Sequence, residues 1–339
     1  MKARANSVRN GLIWGFLLLL ACTFPASADP FDFTSRTYSG FYQLLRGEAS
    51  GEVTIKAFLE FPATPGPHAV LVVAHSCAGW SGAGHGEALI LEAARSAGYA
   101  TLVYDSFVPR AWSNVCSGGA GAAGSPSLIS DAFAALEALA KDDRIRKDAI
   151  FIAGASMGGM TSWFTALEPL RRRLITGDLR FAGHSSFYPS GEHGFMADKV
   201  FAGGPVLVMF GLDDDWTPPK RVRLMVERQM SYSKVPLPDI RLIDYENARH
   251  GWLNVQMQGV KQLPSASSRL NCPLIFMGQG LPANHLIWVD GREMDVAPSD
   301  MKSHLATCAM PGVTIEGSRE VTRKSLSEMI GLMNRIAGK

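Results

Sequence analysis

Ala149-Ile150-Phe151-Ile152-Ala153-Gly154-Ala155-Ser156-Met157-Gly158 is a short apolar run that ends in a G-x-S-x-G pattern. The apolar half has the length and composition of a strand buried on both faces, as in a parallel sheet. Residues Gly159 to Leu167 read as a helix. A serine held on a sharp turn between strand and helix is pushed clear of the backbone, where a base can reach it. The flanking glycines fit because side chains there would collide with the neighbouring elements.

Working outward, Val53–Phe61 reads as an early strand near a sheet edge, and Val70–Ala74 as a wholly apolar strand. Glu87–Ala97 follows as a helix, Ala100–Tyr104 as a strand, and Leu128–Leu139 as a second helix. The Gly/Ala/Ser-rich run 118–125 is expected to be a loop. Pro205–Phe210 and Ile240–Tyr245 complete the strands. Strands alternating with helices imply an α/β fold, with a mostly parallel sheet covered on both faces. No repeat or linker divides residues 29–339, so one domain is expected, with an elaboration at about 253–317. That segment contains an expected hairpin, Leu286-Ile287-Trp288-Val289 turning at Asp290-Gly291. Leu326, Met329, Ile330, Met333 and Ile336 recur at helical spacing near the end.

Residues 1–28 read as a cleaved secretion signal: basic Lys2, Arg4 and Arg9, an apolar core Leu12–Ala21, and Ala26-Ser27-Ala28 before Asp29. The competing reading, a membrane anchor, needs a longer apolar run. Leu19-Leu20-Ala21-Cys22 also has a lipobox pattern that would leave Cys22 lipidated, but Ala26-Ser27-Ala28 is the cleaner site. Removing the signal lowers the 33 basic residues to 30 against 31 acidic ones. The mature chain therefore has no electrostatic case for binding nucleic acid. Four cysteines remain: Cys77, Cys116, Cys272 and Cys308. In an oxidising compartment an even number implies two disulfides. Of the three pairings, Cys77–Cys116 and Cys272–Cys308 each keep both partners in one region of the chain. No C-x-x-C or zinc-like Cys/His spacing is present, so no metal is expected.

A neutral serine hydroxyl needs a base, the base an orienting acid, and the oxyanion two donors. With a G-x-S-x-G nucleophile the chain order is Ser, then acid, then His. Ser156 is the candidate nucleophile. After the Pro205–Phe210 strand comes Gly211-Leu212-Asp213-Asp214-Asp215-Trp216-Thr217-Pro218, in which Asp214 is the acid and its neighbours point elsewhere on the turn. After Ile240–Tyr245 comes Asn247-Ala248-Arg249-His250-Gly251-Trp252, in which His250 is the base. His68, His75, His85, His184, His193, His285 and His304 lack such a context. The oxyanion donors are expected to be the amides of Met157 and Cys77. A Cys77–Cys116 disulfide would brace the second of these, whereas the bland reading of Cys77 is a buried thiol. Acyl-pocket walls are expected from loops such as 111–127 and 186–200. This chemistry calls for no cofactor.

With these residues identified, the chain resembles the dienelactone hydrolase family of α/β-hydrolases, in its exported, serine-containing branch. Over about residues 50–255, His75-Ser76-Cys77-Ala78-Gly79-Trp80 resembles the family's oxyanion loop. Asp105-Ser106-Phe107-Val108-Pro109-Arg110 resembles its Asp-Ser-Phe-x-Pro-Arg segment, and the elbow and the acid and base loops match as well. The resemblance implies an α/β-hydrolase fold and an ester substrate of small-molecule size. Ser156 replaces the namesake's cysteine, which points to a serine esterase instead of a hydrolase of dienelactone itself. Ser76 replaces a glycine. In the namesake arginines bind a substrate carboxylate; Arg110 stands in a matching loop, with a structural salt bridge as the alternative. Two other functions remain open: a serine peptidase of prolyl-oligopeptidase type, against which stands the lack of a propeller before residue 50, and a non-catalytic exported binding protein.

Overall fold

The computed structural model describes residues 29–80, 85–116, 120–278, 283–306 and 308–339. The expected signal and Cys22 lie outside the described residues. The main sheet has eight strands: Asp29–Pro30 (β1), Ala57–Glu60 (β2), His68–Ala74 (β3), Ala100–Tyr104 (β4), Ile145–Ala155 (β5), Gly183–Phe187 (β6), Val206–Gly211 (β7) and Ile240–Tyr245 (β8). Their spatial order is β1-β2-β4-β3-β5-β6-β7-β8. The pairs involving β2 are antiparallel, and every pair from β4 to β8 is parallel.

Side-chain alternation explains how this sheet carries helices on both faces. Val70, Val72, Ile150, Ile152, Val206 and Val208 enter one apolar core. Their neighbours Leu71, Val73, Phe151, Ala153, Leu207 and Met209 enter the other. The helices Ala120–Leu139 (α2), Met157–Thr165 (α3) and Pro219–Tyr232 (α4) cover the first face. His85–Ser96 (α1) and Arg319–Ala337 (α5) cover the second, α5 through Met329, Leu332 and Met333. The chain has the α/β-hydrolase fold.

Four sequence expectations need correction. Of the run 118–125, residues 120–125 are helical and not a loop: α2 begins at Ala120 and continues through Pro126. Two serines of α2 serve as anchors. Ser127 Oγ accepts from the Tyr38 amide at 2.9 Å, and Ser130 Oγ lies 3.3 Å from Ser35 Oγ on the Phe33–Thr37 strand. The elbow helix starts at Met157, earlier than the glycines suggest, because the Met160 amide already bonds to the Ser156 carbonyl at 2.8 Å. Val53–Phe61 is two strands broken at Lys56: Gly51–Ile55 pairs with Phe33–Thr37, and β2 joins the main sheet. The segment 186–200 is not all loop, since β6 reaches Phe187 and His193–Met196 is a strand.

That last strand is the root of the C-terminal elaboration. His193–Met196 pairs in parallel with Leu274–Gly278, which continues antiparallel into Asn284–Ile287 and Glu293–Val296. The expected hairpin is present, turning at Asp290-Gly291. A separate ribbon pairs Lys261–Ser268 with Met310–Ile315. Both expected disulfides are formed, Cys77–Cys116 and Cys272–Cys308.

His184 on β6 is fully buried behind α3. Its Nδ1–H donates to the Ser162 carbonyl at 3.1 Å, and Nε2 has no partner among the described residues. Burial pushes its pKa down to about 4, and desolvation does the same to half-buried His193. Below about pH 6.5 an unfolded histidine binds a proton that the folded one refuses. Stability is therefore full above that pH and falls as the pH drops from 6.5 toward 4, by at most about 1.4 kcal/mol per pH unit for each histidine. Thermal unfolding followed from pH 7 to pH 4.5 should show this slope, and His184→Gln should flatten it, leaving the part due to His193. An unchanged slope would contradict the assignment.

Candidate active site

Ser156 sits between β5 and α3 with φ 55° and ψ −113°, a conformation that a non-glycine residue adopts only when its surroundings impose it. The surroundings are tight. The Ser156 amide donates to the Phe187 carbonyl on β6 at 2.9 Å. A Cβ on Gly158 would stand 2.1 Å from the Ala74 carbonyl oxygen at the end of β3. The turn is pinned between two neighbouring strand ends, so its hydroxyl has one direction to face.

That direction leads to His250. Ser156 Oγ lies 3.0 Å from His250 Nε2, and His250 Nδ1 lies 2.8 Å from Asp214 Oδ2. His250 and Asp214 are buried, and Ser156 is half-buried. The nucleophile follows β5, the acid β7 and the base β8, so three parallel strands, with β6 between the first two, deliver all three groups to one edge of the sheet. Asp214 Oδ1 accepts the amides of Trp216 at 2.9 Å and Thr217 at 2.7 Å, which fixes the carboxylate plane. The rings of Tyr188 and Trp216 flank the imidazole with centroids 4.8 and 4.7 Å away. This arrangement can draw a proton from Ser156 Oγ onto Nε2 while Asp214 holds the Nδ1–H.

Thr217 was not singled out in the sequence, yet its hydroxyl joins the array. It donates to Asp214 Oδ2 at 2.8 Å and lies 3.1 Å from His250 Nδ1. The legible signal was its place three residues after an aspartate, where a hydroxyl residue closes an Asx-type turn. Tyr188 carries no such signal. It follows β6 with φ 35°, and burial raises its pKa well above the ordinary tyrosine value. Asp215, expected to point elsewhere, accepts from the amide and hydroxyl of Thr314 in the elaboration.

Both expected oxyanion residues border the cleft that Ser156 opens into. Met157 is the first residue of α3, whose first-turn amides have no partner within the helix. The loop carrying Cys77 is held at every residue. His75 Nδ1–H donates to the Ser76 carbonyl at 2.8 Å, and its Nε2 accepts the Ser106 amide at 3.2 Å. The Ser76 amide donates to buried Glu87 at 2.9 Å, and the Cys77 carbonyl accepts the Val115 amide at 2.9 Å. The Cys77–Cys116 bond adds a covalent tie.

The cleft is about 300 Å³ and has two characters. Met157, Met160, Phe164, Phe41 and Val222 make an apolar wall; Glu192, His193, Arg221 and Arg269 make a polar one. Arg269 and Glu192 pair at 2.5 Å. Buried Arg221 donates to the carbonyls of Gly191, Cys272 and Pro273, and burial lowers its pKa. Arg110 lies elsewhere. Its guanidinium is buried in a bidentate pair with Asp131 at 2.7 and 2.8 Å and also binds Thr37 and the Ser106 carbonyl. Of its two roles open in the sequence, the structure gives it the salt bridge. Among the described residues no three His, Cys, Asp or Glu side chains are grouped to hold a metal ion.

The sequence matches the model of the dienelactone hydrolase family over residues 55–271. No curated protein sequence matches the chain. Similar solved structures include a dienelactone hydrolase-like promiscuous phosphotriesterase from metagenomic libraries, at 15% identity and TM-score 0.53, over 91% of this chain and 98% of that one. A putative dienelactone hydrolase from Klebsiella pneumoniae aligns at 15% identity and TM-score 0.45, over 65% and 88% of the two chains. The carboxylesterase Cest-2923 from Lactobacillus plantarum aligns at 15% identity and TM-score 0.46, over 66% and 86%.

Because backbone, not a flexible side chain, faces Gly158, the site has no room to adjust. Gly158→Ala should lower stability by about 2–3 kcal/mol or prevent folding, read as a drop in the thermal midpoint. A variant as stable as the parent would show that the elbow is looser than described.

Proposed function

The chain belongs to the dienelactone hydrolase family, and from that premise we propose that this hydrolase is an exported serine esterase working through an acyl-enzyme. Ser156 Oγ attacks the ester carbonyl carbon as its proton passes to His250 Nε2. Asp214 accepts the Nδ1–H throughout, which selects the tautomer and stabilises the imidazolium. The amides of Met157 and Cys77 hold the negative oxygen of the tetrahedral intermediate. The C–O bond to the alcohol then breaks, and His250 returns the proton to the departing oxygen. Water, deprotonated by the same histidine, attacks the acyl carbon and releases the acid and free Ser156.

The observation that carries this reading is the unbroken contact chain Ser156 Oγ–His250 Nε2 at 3.0 Å and His250 Nδ1–Asp214 Oδ2 at 2.8 Å. Removing an oxyanion donor of this kind typically costs about 100- to 1,000-fold in kcat, so a loop held as firmly as 75–77 suits the role. The cleft volume suits a small ester.

Export rests on the secretion signal read at residues 1–28 and on two disulfides, which fit an oxidising compartment. Among the described residues no helix is long and apolar enough to cross a membrane. We take residues 29–339 as one domain; Asp29, the residue after the expected cleavage site, already pairs with Leu59 in the main sheet.

Labelling with a fluorophosphonate, followed by peptide mapping, tests the chemistry. One adduct on Ser156 is expected, absent in Ser156→Ala and lost in His250→Ala. Folded protein that takes no label would bring forward the binding-protein reading. Hydrolysis of peptides but not esters in a substrate screen would replace the esterase by a peptidase.

A further inference from the structure

The separation of Asp214 from His250 depends on two loops that leave different strands, and their flanking residues converge on one threonine of the elaboration. Asp215, next to the acid, accepts the Thr314 amide on Oδ1 at 2.8 Å and the Thr314 hydroxyl on Oδ2 at 2.7 Å. Arg249, next to the base, donates from Nη1 to Thr314 Oγ1 at 3.0 Å. The hydroxyl therefore gives its proton to one loop and takes a hydrogen bond from the other. The adjoining residues extend the tie. His250 forms a bridge with Ile315, and the Glu316 amide donates to the His250 carbonyl at 3.1 Å. Thr314 is buried, so these bonds do not compete freely with water. It lies on the Met310–Ile315 strand, which pairs with Lys261–Ser268 and begins two residues after disulfide-bonded Cys308.

Resting on the esterase reading above, we propose that Asp215, Thr314 and Arg249 are positioning residues that set the Asp214–His250 hydrogen bond, so that the elaboration takes part in catalysis without touching substrate. None of the three borders the cleft. Their loss should act on the chemical step and leave substrate affinity alone. It also accounts for the adjacent carboxylates: Asp214 faces the imidazole and Asp215 faces the strap behind it.

The test uses the full mature chain and a chromogenic acetyl ester. Thr314→Val keeps shape and the backbone donor but removes both hydroxyl contacts. It should lower kcat about 10- to 100-fold, the scale of a small misplacement of a reacting group, with KM changed less than about twofold. Thr314→Ser should restore kcat to within about threefold of the parent. The downfield proton resonance of His250 Nδ1–H, a signature that a merely structural role would leave in place, should broaden or vanish in Thr314→Val and return in Thr314→Ser. Arg249→Gln cuts one arm from the surface side and should show the same kcat loss in smaller degree, which keeps the test alive if Thr314→Val does not fold. Parental kcat in both Thr314→Val and Arg249→Gln, or a kcat loss with the resonance intact, overturns the proposal. A parent enzyme that takes no fluorophosphonate on Ser156 instead overturns the esterase reading, and this proposal with it.

Discussion

The closeness of Gly158 to the Ala74 carbonyl is the contact on which the rest of the site depends. Because a side chain at 158 would meet backbone at 2.1 Å, the elbow can sit hard against the end of β3. That approach brings α3 beside the oxyanion loop, which leaves the same strand at His75. It also holds Ser156 at positive φ, a conformation that costs about 1–3 kcal/mol and persists only where packing over-determines it. The buried faces of β3 and β5 on either side of the sheet supply that packing. The proposed nucleophile and oxyanion donors are thereby placed by the core.

A similar closeness sets the other half of the proposed triad. A Cβ on Gly211 would lie 2.4 Å from the Ala248 carbonyl, so the acid and base loops touch directly at their roots. The Asp213 amide bonds to that same carbonyl at 3.0 Å. Further out the loops diverge, and there the Asp215–Thr314–Arg249 contacts take over. Preorganisation of this kind matters because electrostatic stabilisation is strongest when dipoles need not reorient during the reaction.

What was legible in the sequence follows from the range of the interactions involved. The buried strands β3, β4, β5 and β7 announced themselves because both their faces are largely apolar, a local property, and the half-buried edge strand β8 through Ile240, Leu242 and Ile243. Ser156, Asp214 and His250 were legible because each sits on a turn directly after such a strand, in a required order. The first turns of α2 were not, since Gly and Ser favour loops locally, and only contacts to Tyr38 and Ser35, some ninety residues away, show what the serines do. β6 was missed for a related reason: Gly183-His184-Ser185-Ser186-Phe187 lacks an apolar pattern, and its burial is imposed by β5 and β7 on its two sides. The role of Arg110 could not be read either, because its partner Asp131 lies on a helix whose start was itself misplaced.

The elaboration is best understood from how it is tied down. Arg221 on α4 reaches across to the carbonyls of Cys272 and Pro273, and the Arg269–Glu192 pair bridges the elaboration to the loop before His193. Leu274–Gly278 extends the His193–Met196 strand, and Cys272–Cys308 closes the segment covalently. Segments that open and close are drawn from the least stable parts of a structure, with few buried contacts and exposed backbone bonds. Its two central strands have the opposite properties: Leu274, Ile275, Phe276, Leu286 and Ile287 are all buried. On the far side of the cleft, Cys77–Cys116 ties the oxyanion loop in the same manner. One disulfide thus borders the cleft, and the other closes the elaboration. In the proposed esterase, selection among substrates would rest on the apolar lining beside Ser156 and on the polar lining that holds Arg221, Arg269 and Glu192.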